Sequence, residues 1–220
     1  MAGTAIAGAS GLTGQLVLNR LLDTGAFDPV VAILRKPMHR NHPRLREKVV
    51  QFDSLDALAP LPVSSAICCL GTTIRKAGSR EAFQTVDFGY AVAFARWARQ
   101  NGARHFLYLS SVMANPSSGT FYLRVKGQTE EELSSLGFER LDIFQPSFLL
   151  GQRAEPRTGE RVGQALFWCL EWAMAGPLER FRGIPAATVA KAMAARCSRP
   201  QGEPGIRRFE WREITELAQG

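Results

Sequence analysis

A strand, a glycine-rich turn and a helix near the start of the chain constrain the fold more than any other feature. Thr4–Ala7 is short and largely apolar, and three glycines follow it at the spacing G-x-x-G-x-x-G: Gly8, Gly11 and Gly14. Leucine and valine then recur at helical spacing as far as Thr24. In such a unit the glycines permit a tight turn, close approach to a pyrophosphate and close contact between helix and strand. The segment therefore predicts a dinucleotide-binding turn, with an ordinary tight turn as the alternative.

As far as Gly151, apolar strand-like runs alternate with helical patterns. Further strands are predicted at 30–34, 48–52, 65–70, 105–109 and 140–144, and helices at 81–100 and 121–136. Continuous apolar strands that alternate with helices are typical of a parallel sheet covered on both faces. We therefore expect an α/β, doubly wound parallel-sheet Rossmann fold with right-handed crossovers.

The pattern changes after Gly151, where polar residues predominate. Beyond a loop at 151–163, helices are predicted at 162–175 and 186–197, and an edge strand within 207–212. This segment is too short to form an independent substrate domain. We therefore expect residues 1–220 to form a single NAD(P)-binding domain. Residues 151–220 would serve as a small helical cap on the substrate side, at the carboxyl edge of the sheet.

Side chains at the turn and at the next strand end indicate which nucleotide binds. Ser10 and Thr13 supply hydroxyl groups beside a helix N-terminus, whose free N–H groups suit phosphates. The second strand ends in Arg35 and Lys36, with no carboxylate to hold the 2′-hydroxyl of NAD. Two cations suit the 2′-phosphate of NADP, so NADP is expected rather than NAD, with a solvated strand end as the alternative. Asp53 is a weaker candidate for a contact on the adenine side.

A second motif, Y-x-x-x-K, lies on the helix predicted after the fifth strand. Tyr122 and Lys126 share a helical face because they are four residues apart. The lysine favours the phenolate and can hold the nicotinamide ribose, so Tyr122 is expected to exchange a proton with a substrate oxygen. Ser110 and Ser111 follow the fifth strand, and Ser111 is preferred as the group that orients this oxygen. A surface tyrosine beside a solvated lysine is the alternative.

Residues 68–78, C-C-L-G-T-T-I-R-K-A-G, carry the most specific resemblance to known proteins. They resemble the run C-C-L-G-T-T-x-x-K-A-G in the family of the HIV Tat-interacting tumour-suppressor oxidoreductase. That family belongs to the atypical, epimerase- and dehydratase-like branch of the short-chain dehydrogenase/reductase superfamily. Four further segments match the same family: the glycine turn, Leu109–Ser111, Tyr122–Gly127 and Pro146–Glu160. The likeness therefore extends from Ala5 to about Glu160.

The resemblance implies a Rossmann fold that binds NADPH through a defined set of residues. On this likeness, the phosphates contact Ser10, Gly11, Leu12 and Thr13, and the 2′-phosphate contacts Arg35 and Lys36. Leu70 and Gly71 would lie along the cofactor, Tyr122 and Lys126 at the nicotinamide, and Leu149 and Arg157 in the loop that covers it. Superfamily members outside this branch carry N-N-A-G where this chain has Leu70–Thr73. Any proton relay through that element must therefore differ here.

Composition argues against several other classes of function. The net charge is +7, but the arginines form no run longer than two, so nucleic-acid binding is not expected. The longest apolar run, 165–175, contains Glu171 and is shorter than the roughly 20 apolar residues that a bilayer requires. The four cysteines show no C-x-x-C spacing, which predicts no metal site and fits buried thiols in a reducing compartment. With no secretory signal, a cytoplasmic location is expected.

Three functions stay open on the sequence alone. The first is an NADP(H)-dependent oxidoreductase of a small carbonyl or alcohol substrate, with Tyr122, Lys126 and Ser111 at the reacting oxygen. The second is a nucleotide-sugar epimerase or dehydratase, which uses the same tyrosine and lysine but usually has a larger sugar domain and holds NAD tightly. The third is a non-enzymatic, NADPH-sensing regulator that binds a partner protein. The sequence identifies no substrate and does not distinguish a monomer from a homodimer.

Overall fold

The computed structural model describes residues 3–151, 176–199 and 202–220. Its strands are β1 (Thr4–Ala7), β2 (Val30–Leu34), β3 (Leu45–Val49), β4 (Ser65–Cys68), β5 (His105–Leu109), β6 (Arg140–Phe144), β7 (Leu149–Leu150), β8 (Ile184–Pro185) and β9 (Gly205–Phe209). Seven of them form one sheet in the order β3-β2-β1-β4-β5-β6-β9, and every neighbouring pair is parallel. The other two, β7 and β8, form a short parallel ladder.

The helices are α1 (Leu12–Thr24), α2 (Ile74–Ala77), α3 (Arg80–Gln84), α4 (Ala91–Gln100), α5 (Phe121–Ser135), α6 (Ala186–Ser198) and α7 (Trp211–Gln219). A π-helical segment, Thr85–Tyr90, joins α3 to α4, so residues 80–100 form one continuous helix with a widened turn. The strand order reverses between β1 and β4, which is where ligands bind in doubly wound sheets. The predicted Rossmann fold is therefore confirmed.

The central strands are buried because side chains from both of their faces enter a core. On one face, Ile6 and Ile67 pack with Leu18 of α1 and Met193 of α6. On the other face, alternate strand residues pack with the aromatic side chains of α4. The two cores hold the carboxyl ends of β1, β4 and β5 side by side, where the turn and the predicted catalytic residues follow.

The third strand lies at Leu45–Val49 rather than at 48–52, and β4 ends at Cys68 rather than at residue 70. The apolar residues that suggested a later third strand include Phe52, which instead begins a 3₁₀ turn and stacks on Tyr90. As an edge strand, β3 is half exposed, and its position depends on pairing with β2 rather than on an apolar run. A prediction from apolar residues alone therefore places the third strand too late in the sequence.

Much of the described C-terminal segment extends the Rossmann unit. β9 pairs with β6 at the edge of the sheet, α6 packs against α1, and α7 packs against α6. The edge strand thus occupies Gly205–Phe209 instead of lying within 207–212. The helix predicted at 162–175 lies outside the described residues, and the role of 151–220 as a substrate-side cap stays a prediction. Among the described helices, none has the length and apolarity needed to span a bilayer.

Candidate cofactor and active site

The glycine turn joins β1 to α1 in a space that side chains cannot enter. Gly8 has a φ of +83°, and a Cβ on it would lie 2.5 Å from the carbonyl carbon and oxygen of Cys69. A Cβ on Gly14 would lie 2.1 Å from the carbonyl oxygen of Gly8. Glycine is required at both positions because backbone atoms would have to move to admit a methyl group. The first turn of α1 is thereby held against the end of β4, as a dinucleotide-binding turn requires.

The N-terminus of α1 has the character of an anion-binding site. Gly11 is its N-cap residue, no side chain caps the helix, and no acidic residue lies in the first turn. The first-turn N–H groups that lack helical partners can therefore bind an anion. Among the predicted phosphate contacts, Ser10 and Gly11 are exposed and Leu12 is half-buried, whereas the Thr13 side chain is buried. Their contacts with a pyrophosphate stay a prediction.

Arg35 and Lys36 lie exposed at the end of β2, beside the strand that leads into the turn. Among the described residues, neither forms an ion pair. Asp53 lies in the 3₁₀ turn after β3, where its carboxylate accepts a 3.4 Å hydrogen bond from the hydroxyl of Tyr90. Two unpaired cations are thus available to an anionic group near the turn.

Tyr122 and Lys126 both lie in the first half of α5, but their surroundings differ. Tyr122 is half-buried, and its ring lies 5.7 Å from that of Phe83. Lys126 is only 3% exposed. Its Nζ has three polar neighbours: Asp87 Oδ1 at 2.9 Å, Tyr108 Oη at 3.2 Å and the Leu109 carbonyl oxygen at 3.5 Å. Lys126 is therefore part of a buried polar cluster and not a solvated surface lysine.

The charge of Lys126 is held by its neighbours. Burial is the largest influence and acts to lower the pKa of Lys126, but Tyr108, Asp87 and Tyr122 together raise this pKa well above its ordinary value. Burial also raises the pKa of Tyr108. Lys126 is consequently a cation at physiological pH, next to a neutral phenol on β5 and a carboxylate on the π-helical segment.

Asp87 was missed by the sequence analysis, although it contacts the predicted lysine. It is fully buried, and its Oδ2 accepts a 2.8 Å hydrogen bond from the Thr72 amide. The hydroxyl of Thr129 donates a 3.1 Å hydrogen bond to the backbone carbonyl of Asp87. One signal could have found it: Asp87 follows Phe83 by four residues and so lies on the apolar face of its helix, where an unpaired carboxylate is rare.

The loop after β4 lies against the ion pair of Asp87 and Lys126. Leu70 is half-buried and Gly71 is exposed. A Cβ on Gly71 would lie 3.6 Å from Asp87 Oδ1 and 3.8 Å from Lys126 Nζ. Gly71, which is predicted to line the cofactor, therefore lies beside the predicted lysine, although the two residues are far apart in the sequence.

The two serines after β5 have different environments. The hydroxyl of Ser110 donates to the buried carboxylate of Glu130, which also accepts hydrogen bonds from Gln145 Nε2 at 2.8 Å and Arg208 Nε at 3.2 Å. Ser111 is half-buried, and its hydroxyl makes no hydrogen bond to the described residues. The hydroxyl that can turn to a ligand is therefore that of Ser111, whose orienting role stays a prediction.

Of the two remaining predicted residues, Leu149 lies within the described ranges, in the small β7–β8 ladder. Leu149 is half-buried on β7, and the nearby Gly151 approaches the side chain of Leu12. Arg157 lies outside the described residues. Within the described ranges, no cluster of three or more histidine, cysteine, aspartate or glutamate residues could hold a metal ion.

Comparison with known proteins bears on this geometry. Residues 8–160 match a family model described as NAD(P)H-binding. Protein HTATIP2 of Rattus norvegicus is 37% identical over 195 residues, which cover 86% of this chain and 78% of the relative. The mitochondrial protein fmp52 of Aspergillus fumigatus is 36% identical over 169 residues, which cover 73% of this chain and 72% of the relative.

Solved structures share the fold at low sequence identity. The Bordetella bronchiseptica enzyme WbmH, in complex with NAD⁺, has a TM-score of 0.70 at 16% identity, and the match covers 100% of this chain and 80% of that one. Human epimerase family protein SDR39U1, with NADPH, has a TM-score of 0.60 at 15% identity and coverages of 94% and 74%. The chain therefore belongs to the NAD(P)H-binding family and to the family of protein HTATIP2.

Proposed function

We propose that this protein is an NADP(H)-dependent oxidoreductase that interconverts a carbonyl and an alcohol group on a small substrate. The observation that carries the proposal is the buried ammonium of Lys126. It lies on the same helix as Tyr122 and beside Gly71, in a fold whose glycine turn fits a dinucleotide. A lysine that served only solubility would not be buried with a carboxylate partner.

The reaction requires few protein groups. Bound nicotinamide supplies or accepts the hydride. Tyr122 donates a proton to the carbonyl oxygen during reduction and takes it back during oxidation. The buried ammonium of Lys126, one helical turn from Tyr122, would hold the ribose of the nicotinamide. The hydroxyl of Ser111 donates a hydrogen bond to the same oxygen and orients it.

The proposed preference for NADP rests on Arg35 and Lys36. Both are exposed at the end of β2, and no carboxylate at that strand end would repel a phosphate or hold a ribose hydroxyl. Solved structures with this fold include one with NAD⁺ and one with NADPH, so the fold itself does not select the nucleotide. Replacing both cations by alanine should weaken NADPH binding about tenfold or more and leave NADH binding within about twofold. Isothermal titration with each nucleotide would measure this, and an equal loss for both would contradict the preference.

Tyr122→Phe tests the catalytic role. We expect turnover of NADPH with a panel of aldehydes, ketones and quinones to fall about 10²- to 10⁴-fold, because the proton donor is lost. The dissociation constant of NADPH should stay within about twofold, since the ring remains against Phe83. Tyr90→Phe is the matched control, because it removes the same hydroxyl from a residue whose one side-chain hydrogen bond among the described residues is to Asp53. Unchanged turnover in Tyr122→Phe would refute the proposed role.

The same measurements separate the other two functions. Tightly held NAD in the purified protein, with interconversion of nucleotide sugars and no net oxidation of added cofactor, would favour an epimerase or dehydratase. NADPH binding that alters affinity for a partner protein, without turnover on any carbonyl, would favour a regulator. Fungal relatives carry the word mitochondrial in their names, so the proposed cytoplasmic location needs its own test by cell fractionation.

A further inference from the structure

Asp87 is a fully buried carboxylate at the centre of a widened helical turn. Thr85–Tyr90 interrupts the α-helical pattern of residues 80–100, and π-helical turns of this kind are frequent at functional sites. Removing a carboxylate from water is costly unless it is paired and hydrogen-bonded. The partners of Asp87 therefore indicate what it does.

The two oxygens of Asp87 connect three segments of the chain. Oδ1 lies 2.9 Å from the Nζ of Lys126 on α5, and Oδ2 accepts a 2.8 Å hydrogen bond from the amide of Thr72 after β4. The contact with Lys126 is ionic, and Oδ1 has no well-aligned hydrogen-bond donor among the described residues. The exposed Gly71 lies directly beside this pair. One carboxylate thus fixes the lysine against the loop that is predicted to line the cofactor.

The titratable groups of β4 and β5 near this pair carry no balancing charge. Tyr122 of α5 and Tyr108 of β5 act on Lys126, and Cys68 of β4 acts on Tyr108. Burial raises the pKa of Cys68 to about 12 and also raises that of Tyr108, so both are neutral at physiological pH. Asp87 is therefore the carboxylate that contacts Lys126, at 2.9 Å, and its negative charge offsets that of the lysine.

We propose that Asp87 is a positioning residue of the oxidoreductase site: its carboxylate balances the charge of Lys126 and fixes the lysine to the loop after β4, so that the lysine stays protonated beside Tyr122. Only the effect of Lys126 on the cofactor and the substrate rests on the proposed function. The protonation of Lys126 itself can be measured with neither present.

Carbon-13 NMR of the lysine Cε atoms gives that measurement. The chain has five lysines, and the Lys126 resonance is assigned by its loss in Lys126→Met. In the wild type, Lys126 should remain protonated at pH 10.4, about the ordinary pKa of a lysine side chain. In Asp87→Asn, which removes the charge but keeps the shape, Lys126 should lose its proton at least about one pH unit below the wild-type midpoint, because burial is no longer offset. Asp87→Glu, which keeps the charge, should restore protonation at pH 10.4.

Asp142→Asn is the matched control. It removes another buried carboxylate from an ion pair, with Arg196, and the hydrogen-bond partners of Asp142, His105 and Arg196, are not those of Lys126. It should leave the Lys126 titration as in the wild type. A folded Asp87→Asn protein with unchanged Lys126 titration would overturn the proposal. If Asp87→Asn does not fold, the wild type decides: a Lys126 midpoint at or below pH 10.4 would also overturn it.

Binding of NADPH supplies a second measurement. In Asp87→Asn the dissociation constant should rise more than in the wild type as the pH passes through the Lys126 midpoint that the NMR titration gives for this variant, because the lysine loses its charge there. Equal pH dependence in the two proteins would contradict the role of Asp87 toward the cofactor. Failure of the wild type to bind NADPH at any pH would refute the proposed function instead, and the NMR titration would still decide the role of Asp87.

Discussion

Two buried carboxylates, Asp142 in the sheet and Asp87 in the π-helical segment, differ in how fully their oxygens are bonded. Asp142 on β6 accepts two hydrogen bonds from the guanidinium of Arg196, at 3.0 and 2.9 Å, and lies 2.7 Å from Nε2 of His105. Asp87 lies 2.9 Å from Lys126, but its Oδ1 has no aligned donor among the described residues. Both carboxylates are at most 1% exposed, so burial does not distinguish them.

The difference separates a polar network that supports the fold from one that belongs to a site. A network needed only for stability is expected to satisfy each buried acceptor, because an unsatisfied one lowers stability. Asp142 meets this expectation. Asp87 leaves one oxygen incompletely bonded beside an ammonium and an exposed glycine, Gly71. Departures of this kind are expected where a protein binds or reacts with something else.

The largest effect on stability is expected from breaking the satisfied network. Asp142→Ala leaves the buried guanidinium of Arg196 without its partner, so the free energy of unfolding should fall by about 3–5 kcal/mol. Urea denaturation would measure this. The dissociation constant of NADPH should change less than about twofold at a temperature where the variant is folded. A large loss of NADPH affinity in the folded variant would show that the two networks are coupled.

An intermediate effect on stability is expected from Gly14→Ala. Its new Cβ would meet the carbonyl oxygen of Gly8, so the backbone must shift, at a cost of about 1–3 kcal/mol. Because that shift moves the phosphate-binding turn, NADPH affinity should also fall about tenfold or more. Gly89→Ala is the control, since a Cβ there meets nothing within 4 Å. Equal NADPH affinity in Gly14→Ala and the wild type would contradict the assignment of the turn.

The smallest effect on stability is a pH dependence of the network around Asp142. Burial lowers the pKa of His105, although Asp142 partly opposes this. The unfolded chain therefore binds more protons than the folded one as the pH falls through about 6.5, and the free energy of unfolding should decrease between pH 7 and 5. The pKa of Asp142 is itself lowered, because hydrogen bonds from His105 and Arg196 outweigh burial, so its own contribution is lost only at lower pH.

Thermal denaturation across that range is the measurement. His105→Gln should reduce the loss of stability between pH 7 and 5. His39→Gln should leave this loss unchanged, because His39 is exposed. Stability that rises on acidification between pH 7 and 5 would show that His105 is charged in the folded protein. The dissociation constant of NADPH should not follow the same dependence on pH between pH 7 and 5.

Local sequence patterns predict those parts of the molecule that depend on local chemistry. Gly8 and Gly14 are recognisable because a tight turn next to a strand needs glycine, and the structure places backbone atoms where their side chains would be. The third strand was placed too late because β3 depends on pairing with β2, which no local pattern encodes. The spacing from Phe83 places Asp87 on a buried helical face, but its contacts with Lys126 and the distant Thr72 depend on a π-helical segment that no local pattern encodes.

The contact between α1 and α6 has a consequence for synthesis of the chain. The helix whose N-terminus is proposed to bind the phosphates has its apolar face covered by Val189 and Met193, which are translated long after it. Closing so long an interval of chain is entropically costly and slows folding. On the ribosome, a nascent chain that has not reached Ala186 leaves uncovered the side of α1 that packs against α6. The cofactor turn should therefore acquire its final rigidity only late in translation.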